Sequence, residues 1–325
     1  MAEKAVFPEL IGNERLKALF ADGLRRGRGA HAYVLEGPAG SGRHTAARLI
    51  AAASLCENRD DPASPLPCGR CLSCRKVLSG HSVDVLTVSR GERATLGVEP
   101  IRELRDSLWV TPNDGDRKFY FIEDAHLMTP QAQNALLKVL EEPPAYGAFL
   151  LLADRAEAML PTVRSRCVEM QLLPVPERET LPLLRREFPD KDDAALRRAL
   201  RLGGGWIGQA AMLLREETGL DPLAEELCVG FEKQDALALT RTLCKLERRK
   251  REQLLPVLRQ TREILAQALA RRSGAPSEQE EIPLASARTA ADLMRACRVL
   301  QEAIRAAEAN VGVGHVCGYL TVSLR

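Results

Sequence analysis

Tyr33-Val34-Leu35-Glu36-Gly37-Pro38-Ala39-Gly40-Ser41-Gly42-Arg43-His44-Thr45 is the stretch from which the rest of the chain is read. A short apolar strand runs into a glycine-rich turn, and Ala46-Ala47-Arg48-Leu49-Ile50 continues it as a helix. This is the layout of a phosphate-binding loop, in which backbone N–H groups and a helix N-terminus point at an anion. The pattern G-x-x-x-x-G-K-[ST] lays its outer glycines on Gly37 and Gly42, with Gly40 between them. Its lysine position is Arg43 and its hydroxyl position is His44. A lysine meets the terminal phosphates as a compact point charge, and a Ser or Thr hydroxyl ligates Mg²⁺. Arginine is bulkier and forked, and imidazole is a poor ligand for an ion that prefers oxygen. Thr45 offers a hydroxyl one residue late. The architecture of a nucleotide site is expected here; turnover of ATP with Mg²⁺ is not.

The chain has 325 residues, room for two or three domains with real cores. Lys+Arg 46 against Asp+Glu 44 leaves a net charge of +2. A protein held on nucleic acid by phosphate contacts alone is usually more basic. Nothing resembles the apolar run of roughly 18 residues that a membrane-spanning helix needs. Met1-Ala2-Glu3-Lys4-Ala5-Val6-Phe7-Pro8 lacks the apolar core of a signal peptide. A cytoplasmic location is expected, and nine cysteines there point to metal ligation or buried thiols rather than disulfides.

Leu16, Leu19, Phe20 and Leu24 recur at helical spacing before the loop, with Asn13 as the expected N-cap. After it, strands are read at Val83–Val88, Lys118–Ile122, Ala148–Ala153 and Cys167–Leu172, and helices at Val98–Val110 and Thr129–Leu140. Pro143-Pro144 stops the second of those helices. Short apolar strands alternating with helices predict parallel βαβ units covered on both faces. From Glu177 onward nearly everything reads as helix, broken at Gly203-Gly204-Gly205 and by a polar loop around Ser273 to Pro283.

Cys56-x11-Cys68-x2-Cys71-x2-Cys74 is the strongest chemical signal. Two consecutive C-x-x-C steps gather three thiols, and the upstream cysteine completes a tetrahedron suited to a closed structural Zn²⁺ site. A redox C-x-x-C or four unrelated thiols are the rival readings, and the triple with a fourth partner argues against both. A second signal is Phe119-Tyr120-Phe121-Ile122-Glu123-Asp124-Ala125-His126. An apolar strand ending in carboxylates is how nucleoside-triphosphate enzymes hold Mg²⁺. The usual order is Asp then Glu; Glu123 followed by Asp124 reverses it, so a plain acidic strand end stands beside the metal reading.

These motifs, with Leu136-Leu137-Lys138-Val139-Leu140-Glu141-Glu142-Pro143-Pro144 and Ser165-Arg166-Cys167, fall in an order that resembles the clamp-loader branch of the AAA+ proteins. The resemblance runs along nearly the whole chain. It implies an α/β AAA+ P-loop domain over 1–171 with a four-cysteine insertion at 54–80. A small helical lid over 172–215 and an all-α collar over 216–325 would follow. It also implies that Arg166 reaches into a neighbouring subunit's ATP site as a trans-acting finger; without it, Arg166 reads as a surface arginine in a local salt bridge. A guanidinium is always charged and braces several phosphate oxygens at once, which suits the first role.

Active members that this chain resembles keep Gly-Lys-Thr in the loop and Asp-Glu after the strand. They also keep a polar sensor after the strand equivalent to 148–153 and an arginine in the small helical domain. Here those places hold Gly42-Arg43-His44, Glu123-Asp124, Leu152-Ala153-Asp154, and Gly208 in Gly204-Gly205-Trp206-Ile207-Gly208-Gln209-Ala210. Four altered elements beside an intact Arg166 imply a loader subunit that does not itself turn over ATP. Its implied partners are the gamma/tau and delta subunits of a loader, a sliding clamp, and primed DNA through the complex. The enzyme alternative is an ATPase subunit with a tolerant loop, Thr45 serving the metal and Arg43 the phosphates. A zinc-dependent DNA-binding module is a third reading, since Arg70, Arg75 and Lys76 flank the cysteines.

Overall fold

In the computed structural model the described residues are 6–25, 29–61, 63–215, 221–273, 288–309 and 311–324. The first half runs α1 (Glu14–Arg25), β1 (Ala32–Glu36), α2 (Arg43–Ser54), α3 (Leu72–Leu78), β2 (Val85–Val88), α4 (Val98–Ser107), β3 (Lys118–Ile122), α5 (Pro130–Glu141), β4 (Gly147–Ala153), α6 (Pro161–Arg164) and β5 (Val168–Gln171). The helices that follow are α7 (Glu177–Glu187), α8 (Asp193–Leu202), α9 (Ile207–Arg215), α10 (Pro222–Glu232), α11 (Ala236–Glu247), α12 (Arg251–Arg272), α13 (Ala290–Glu308) and α14 (Val313–Ser323). The chain divides into two compact units, Met1–Pro182 with Trp206–Gln209, and Leu183–Gly205 with Ala210–Arg325.

The first unit is built on a five-stranded, all-parallel sheet in the order β2-β3-β4-β1-β5. The α/β fold with a parallel sheet read from the alternation of strands and helices is therefore what the chain adopts. β3 and β4 are buried at every residue, which is why Phe119–Ile122 and Ala148–Ala153 read as unbroken apolar runs. The edge strands β2 and β5 are more exposed and carry Thr87, Glu169 and Gln171. Successive strand residues alternate faces. Leu35, Phe119, Phe121, Leu150 and Leu152 join α1, α2 and α3 in one core layer. Val34, Tyr120, Ile122, Phe149 and Leu151 join α4 and α5 in the other.

Local rules set the ends of these elements. Thr129 caps α5 by accepting from the Ala132 amide at 3.2 Å, with Pro130 at the first helical position. Asp84 is completely buried and accepts from the Asn113 and Asp114 amides, each at 2.7 Å, which fixes the loop leading into β3. Asn13, expected as a helix cap, instead aims Oδ1 at the Leu173 amide, 2.8 Å away, and so ties the start of α1 to the chain beyond β5. A side chain serving two distant segments leaves no local sequence signature.

The second unit is helical. Leu254, Leu258, Ile264 and Leu265 of α12 and Leu293, Leu300 and Ile304 of α13 lie in one buried cluster with residues of α10, α11 and α14. These side chains form that unit's core. Asp235 at the start of α11 and the Thr289–Asp292 capping box of α13 mark the helix starts. The polar loop expected beyond Ser273 lies outside the described residues.

Parallel strands bring their carboxyl ends to one edge, where ligands of open α/β sheets collect. Glu36, Ile122 and Ala153 end β1, β3 and β4 at that edge, and the glycine loop, Glu123-Asp124 and Asp154 issue from them.

Candidate functional site

The glycine loop takes the conformation its residues allow. Gly40 and Gly42 have φ of 76° and 93°, the left-handed region open to glycine, and Gly42 is the cap of α2. Gly37 donates to the Ala153 carbonyl at 3.1 Å, and Ser41 donates to the Pro38 carbonyl at 3.0 Å. Loop and α2 N-terminus are thus in place, but the side chains around them are engaged with one another. Arg43 is buried at 7% exposure, and its Nη1 lies 2.6 Å from Oδ1 of Asp154, a close charge pair without hydrogen-bond alignment. His44 Nδ1 sits 3.3 Å from Oε1 of Glu123. Arg90 Nε donates to Oδ2 of Asp124 at 2.9 Å. Asp124 adopts φ 48°, a left-handed conformation that Asp tolerates better than most residues. The two carboxylates that follow β3 therefore have separate side-chain partners, His44 for one and Arg90 for the other.

His126 completes this group. Its Nδ1 accepts from the Asp154 amide at 3.2 Å, which leaves the ring proton on Nε2, 3.8 Å from the Asp154 carboxylate. Burial pushes the imidazole below its ordinary value, against the opposing pull of Asp154 and Asp124. Neutral His126 thus fixes the backbone that presents Asp154 to Arg43. As a cradle for Mg-nucleotide the residues fit badly: the cation at the lysine position is bound to the chain's own carboxylate, and no oxygen ligand stands at position 44.

The four cysteines converge. The Sγ atoms of Cys56, Cys68, Cys71 and Cys74 all lie within 4.8 Å of one another, with Cys68 and Cys74 3.9 Å apart. Thiolates held about 2.3 Å from one tetrahedral ion would be roughly 3.8 Å apart, so the arrangement is able to hold a thiophilic metal. Cys71 caps α3, accepting on Sγ from the Cys74 amide at 3.3 Å, and the Cys71 amide donates to Cys68 Sγ at 3.4 Å. Such N–H···S contacts orient metal ligands and favour the thiolate. Burial raises the Cys68 thiol, but the Cys71 and Arg70 amides and the Asn58 side chain bring it down to about 6. Burial pushes Cys56 and Cys74 up.

Arg166 lies just past α6. Its Nη1 donates to the Thr162 carbonyl at 2.8 Å, and its Nη2 donates to Oε1 of Glu141 at 2.6 Å. The side chain remains 35% exposed. Arg164 is engaged by both oxygens of Glu169 at 2.8 and 3.0 Å, whereas Cys167 is buried enough that its thiol is pushed up to about 12. Gln133 of α5, itself buried, accepts on Oε1 from the Leu160 amide at 2.6 Å and donates through Nε2 to the Met128 carbonyl at 3.1 Å. That clasp sets where α6 begins and hence where Arg166 emerges.

The family described as "DNA polymerase III, delta subunit" matches residues 12–176, half of the chain and nearly all of the sheet unit. This chain belongs to that family. Among curated relatives, the DNA polymerase III subunit gamma of Buchnera aphidicola (subsp. Acyrthosiphon pisum) is 31% identical over 218 residues, covering 66% of this chain and 59% of the relative. The DNA polymerase III subunit gamma/tau of Mycobacterium tuberculosis (strain H37Rv) is 34% identical over 207 residues, 62% of this chain and 35% of the relative. The chain thus spans between about a third and three fifths of the length of these two relatives. A DNA polymerase III gamma subunit-related protein of Thermotoga maritima aligns over 95% of this chain and 99% of its own, at 19% identity and a TM-score of 0.39.

Within this delta-subunit family member, the residues singled out by sequence sit in three places. Gly37, Gly40, Gly42, Arg43, His44, Thr45, Glu123 and Asp124 surround the carboxyl edge of the sheet, the four cysteines form the knot beside α2, and Arg166 stands apart from both. Sequence reading missed the partners. Asp154 was noted only for lacking a sensor's chemistry, and its signal was complementarity: an arginine replaces the loop lysine and a carboxylate follows β4. Glu141 and Gln133 carried no signal, because only the packing of α5 against α6 brings them to their partners. Among the described residues no helix is long and apolar enough to cross a membrane.

The depressed His126 gives a pH test. The folded state keeps the ring neutral, whereas the unfolded chain takes up a proton near its ordinary value of 6.5. His126 therefore contributes stability that is full above about pH 6.5 and is lost as pH falls toward the lowered folded value, with a slope of at most about 1.4 kcal/mol per pH unit. His126→Asn keeps an acceptor for the Asp154 amide but cannot titrate. Urea unfolding of the full chain at pH 7.5 and 5.5 should show a smaller acid loss in the variant; equal losses would remove His126 from the account.

Proposed function

We propose that this chain is a delta prime-like subunit of a DNA polymerase III clamp loader. In this reading it does not turn over ATP, holds its place among gamma/tau and delta subunits, and supplies Arg166 to a neighbouring ATPase site during loading of the sliding clamp onto primed DNA. One observation carries the reading: the groups that would work on nucleotide are paired internally, Arg43 with Asp154, His44 with Glu123 and Asp124 with Arg90, while Arg166 is partly exposed outside that group. Membership of the delta-subunit family and the gamma and tau names of its relatives supply the replication context.

Glu141 would hold Arg166 when no neighbour is present, and a phosphate oxygen would replace that carboxylate in the assembly. The exchange is feasible because a partly exposed ion pair is worth only about 0–1 kcal/mol. The division into an α/β domain over 1–171, a lid over 172–215 and an oligomerising collar over 216–325 belongs to the same proposal, as does a cytoplasmic location.

Zn²⁺ is assigned to Cys56, Cys68, Cys71 and Cys74. Bound there it would cross-link a proline-rich segment with little core of its own, and with four thiolates it would have no open position for catalysis. Metal analysis of the purified full chain should return one Zn per polypeptide. Cys71→Ala, which removes a ligand without touching the sheet, should lower that to near zero and lower the melting temperature; a zinc-free wild type would refute the assignment.

The second reading, a gamma/tau-type ATPase, is favoured by the names of the relatives. A turnover assay on the purified chain separates the two, since steady hydrolysis by it alone would remove the delta prime-like reading. In a reconstituted loader, Arg166→Ala should leave the urea midpoint unchanged and reduce ATPase by the share of the site it serves, where a finger is worth around 10³–10⁵ in rate in GTPases. Arg166→Lys should fare little better, because a point charge lacks the fork. Undiminished ATPase in both variants would refute the finger.

A further inference from the structure

Trp206–Gln209 belongs to the sheet unit although it lies far along the chain from the glycine loop, and its backbone meets that loop directly. The Gly208 amide donates to the Gly40 carbonyl at 3.0 Å, and Nε2 of Gln209 donates to the Ala39 carbonyl at 2.8 Å. The approach is closer than any side chain permits. A Cβ at Gly40 would stand 2.6 Å from the Gln209 nitrogen, and a Cβ at Gly208 would stand 2.7 Å from the Gly40 oxygen and 2.8 Å from its Cα. Trp206 anchors the segment by packing against the core layer that includes α2.

We propose that Gly208 and Gln209 form an intramolecular clasp that shuts the Gly40 side of the glycine loop to phosphate. There is no room for a methyl group between Gly40 and Gly208, and a phosphoryl group with its oxygens is larger. The clasp also fixes two consecutive loop carbonyls, so the peptides from Ala39 to Ser41 cannot turn to follow an incoming anion. Glycine at position 208 is what makes this possible. The arginine that the family resemblance expects there would place its Cβ against the Gly40 backbone, and the two segments would have to separate. The clasp is independent of the altered Arg43 and His44: restoring the usual motif residues leaves it in place. It rests on the reading of the loop as idle and adds the physical device that keeps it so.

The test uses the full chain, with hydrogen exchange followed on peptides spanning 37–45 and 204–212 and binding measured by titration with a fluorescent ATP analogue and Mg²⁺. The wild type should exchange slowly at both places. Gly208→Ala should speed both by about tenfold or more while peptides from β3 and β4 keep their protection. Gln209→Ala, which adds no bulk, gives the same reading at 37–45 should Gly208→Ala fail to fold. The motif-restoring pair R43K/H44T should show no saturable binding at millimolar nucleotide, and adding Gly208→Ala to it should produce binding. Fast loop exchange in the wild type, unchanged exchange in both clasp variants, binding by R43K/H44T alone, or no binding by the triple variant would each overturn the clasp. ATP turnover by the wild type would instead sink the idle-loop reading itself, so the two failures are told apart.

Discussion

A guanidinium buried at the carboxyl edge of a parallel sheet must meet a carboxylate, and Arg43 meets Asp154 at 2.6 Å. Leaving a buried charge without its partner typically costs about 3–5 kcal/mol, more than most single contacts supply. That requirement shapes the whole edge. Asp154 has to be presented at the right height beyond β4, which His126 secures through the Asp154 amide, and His126 in turn rides on the turn that begins at Asp124. Arg43 and Asp154 thus face each other as a charge pair, with Arg43 buried and Asp154 partly exposed. At the edge where ligands of parallel sheets collect, these side chains form a closed electrostatic circuit.

The two other features lie off this circuit and follow different physics. The cysteine knot sits beside α2 at the margin of one core layer, where Cys56 and Cys74 are buried and the segment around them is rich in proline and glycine. Such a segment has little apolar surface to bury, so a four-thiol centre is an economical way to order it. Arg166 depends on rigid packing instead. The Gln133 clasp determines where α6 starts, the Arg164–Glu169 pair holds the turn after it, and the Glu141 carboxylate sits under the guanidinium. A partly exposed arginine held by several short contacts loses little freedom when a stronger anion replaces one of them, which suits the role proposed for it.

The sequence by itself determined the class of fold and the identity of the main candidates. Parallel strands buried on both faces are largely apolar, so 118–122 and 148–153 announced themselves, and proline and threonine marked where α5 begins. The spacing of Cys56, Cys68, Cys71 and Cys74 carried their convergence, because two C-x-x-C steps bring thiols together in almost any local backbone. Tertiary structure alone decided the pairings: Arg43 with Asp154, Asp124 with Arg90, Arg166 with Glu141, and Gly208 against Gly40. These join residues between 25 and 168 positions apart. Period and propensity act over one turn of helix or one strand, whereas the partner of a charge or of a glycine is chosen by which elements the sheet order and the core bring side by side.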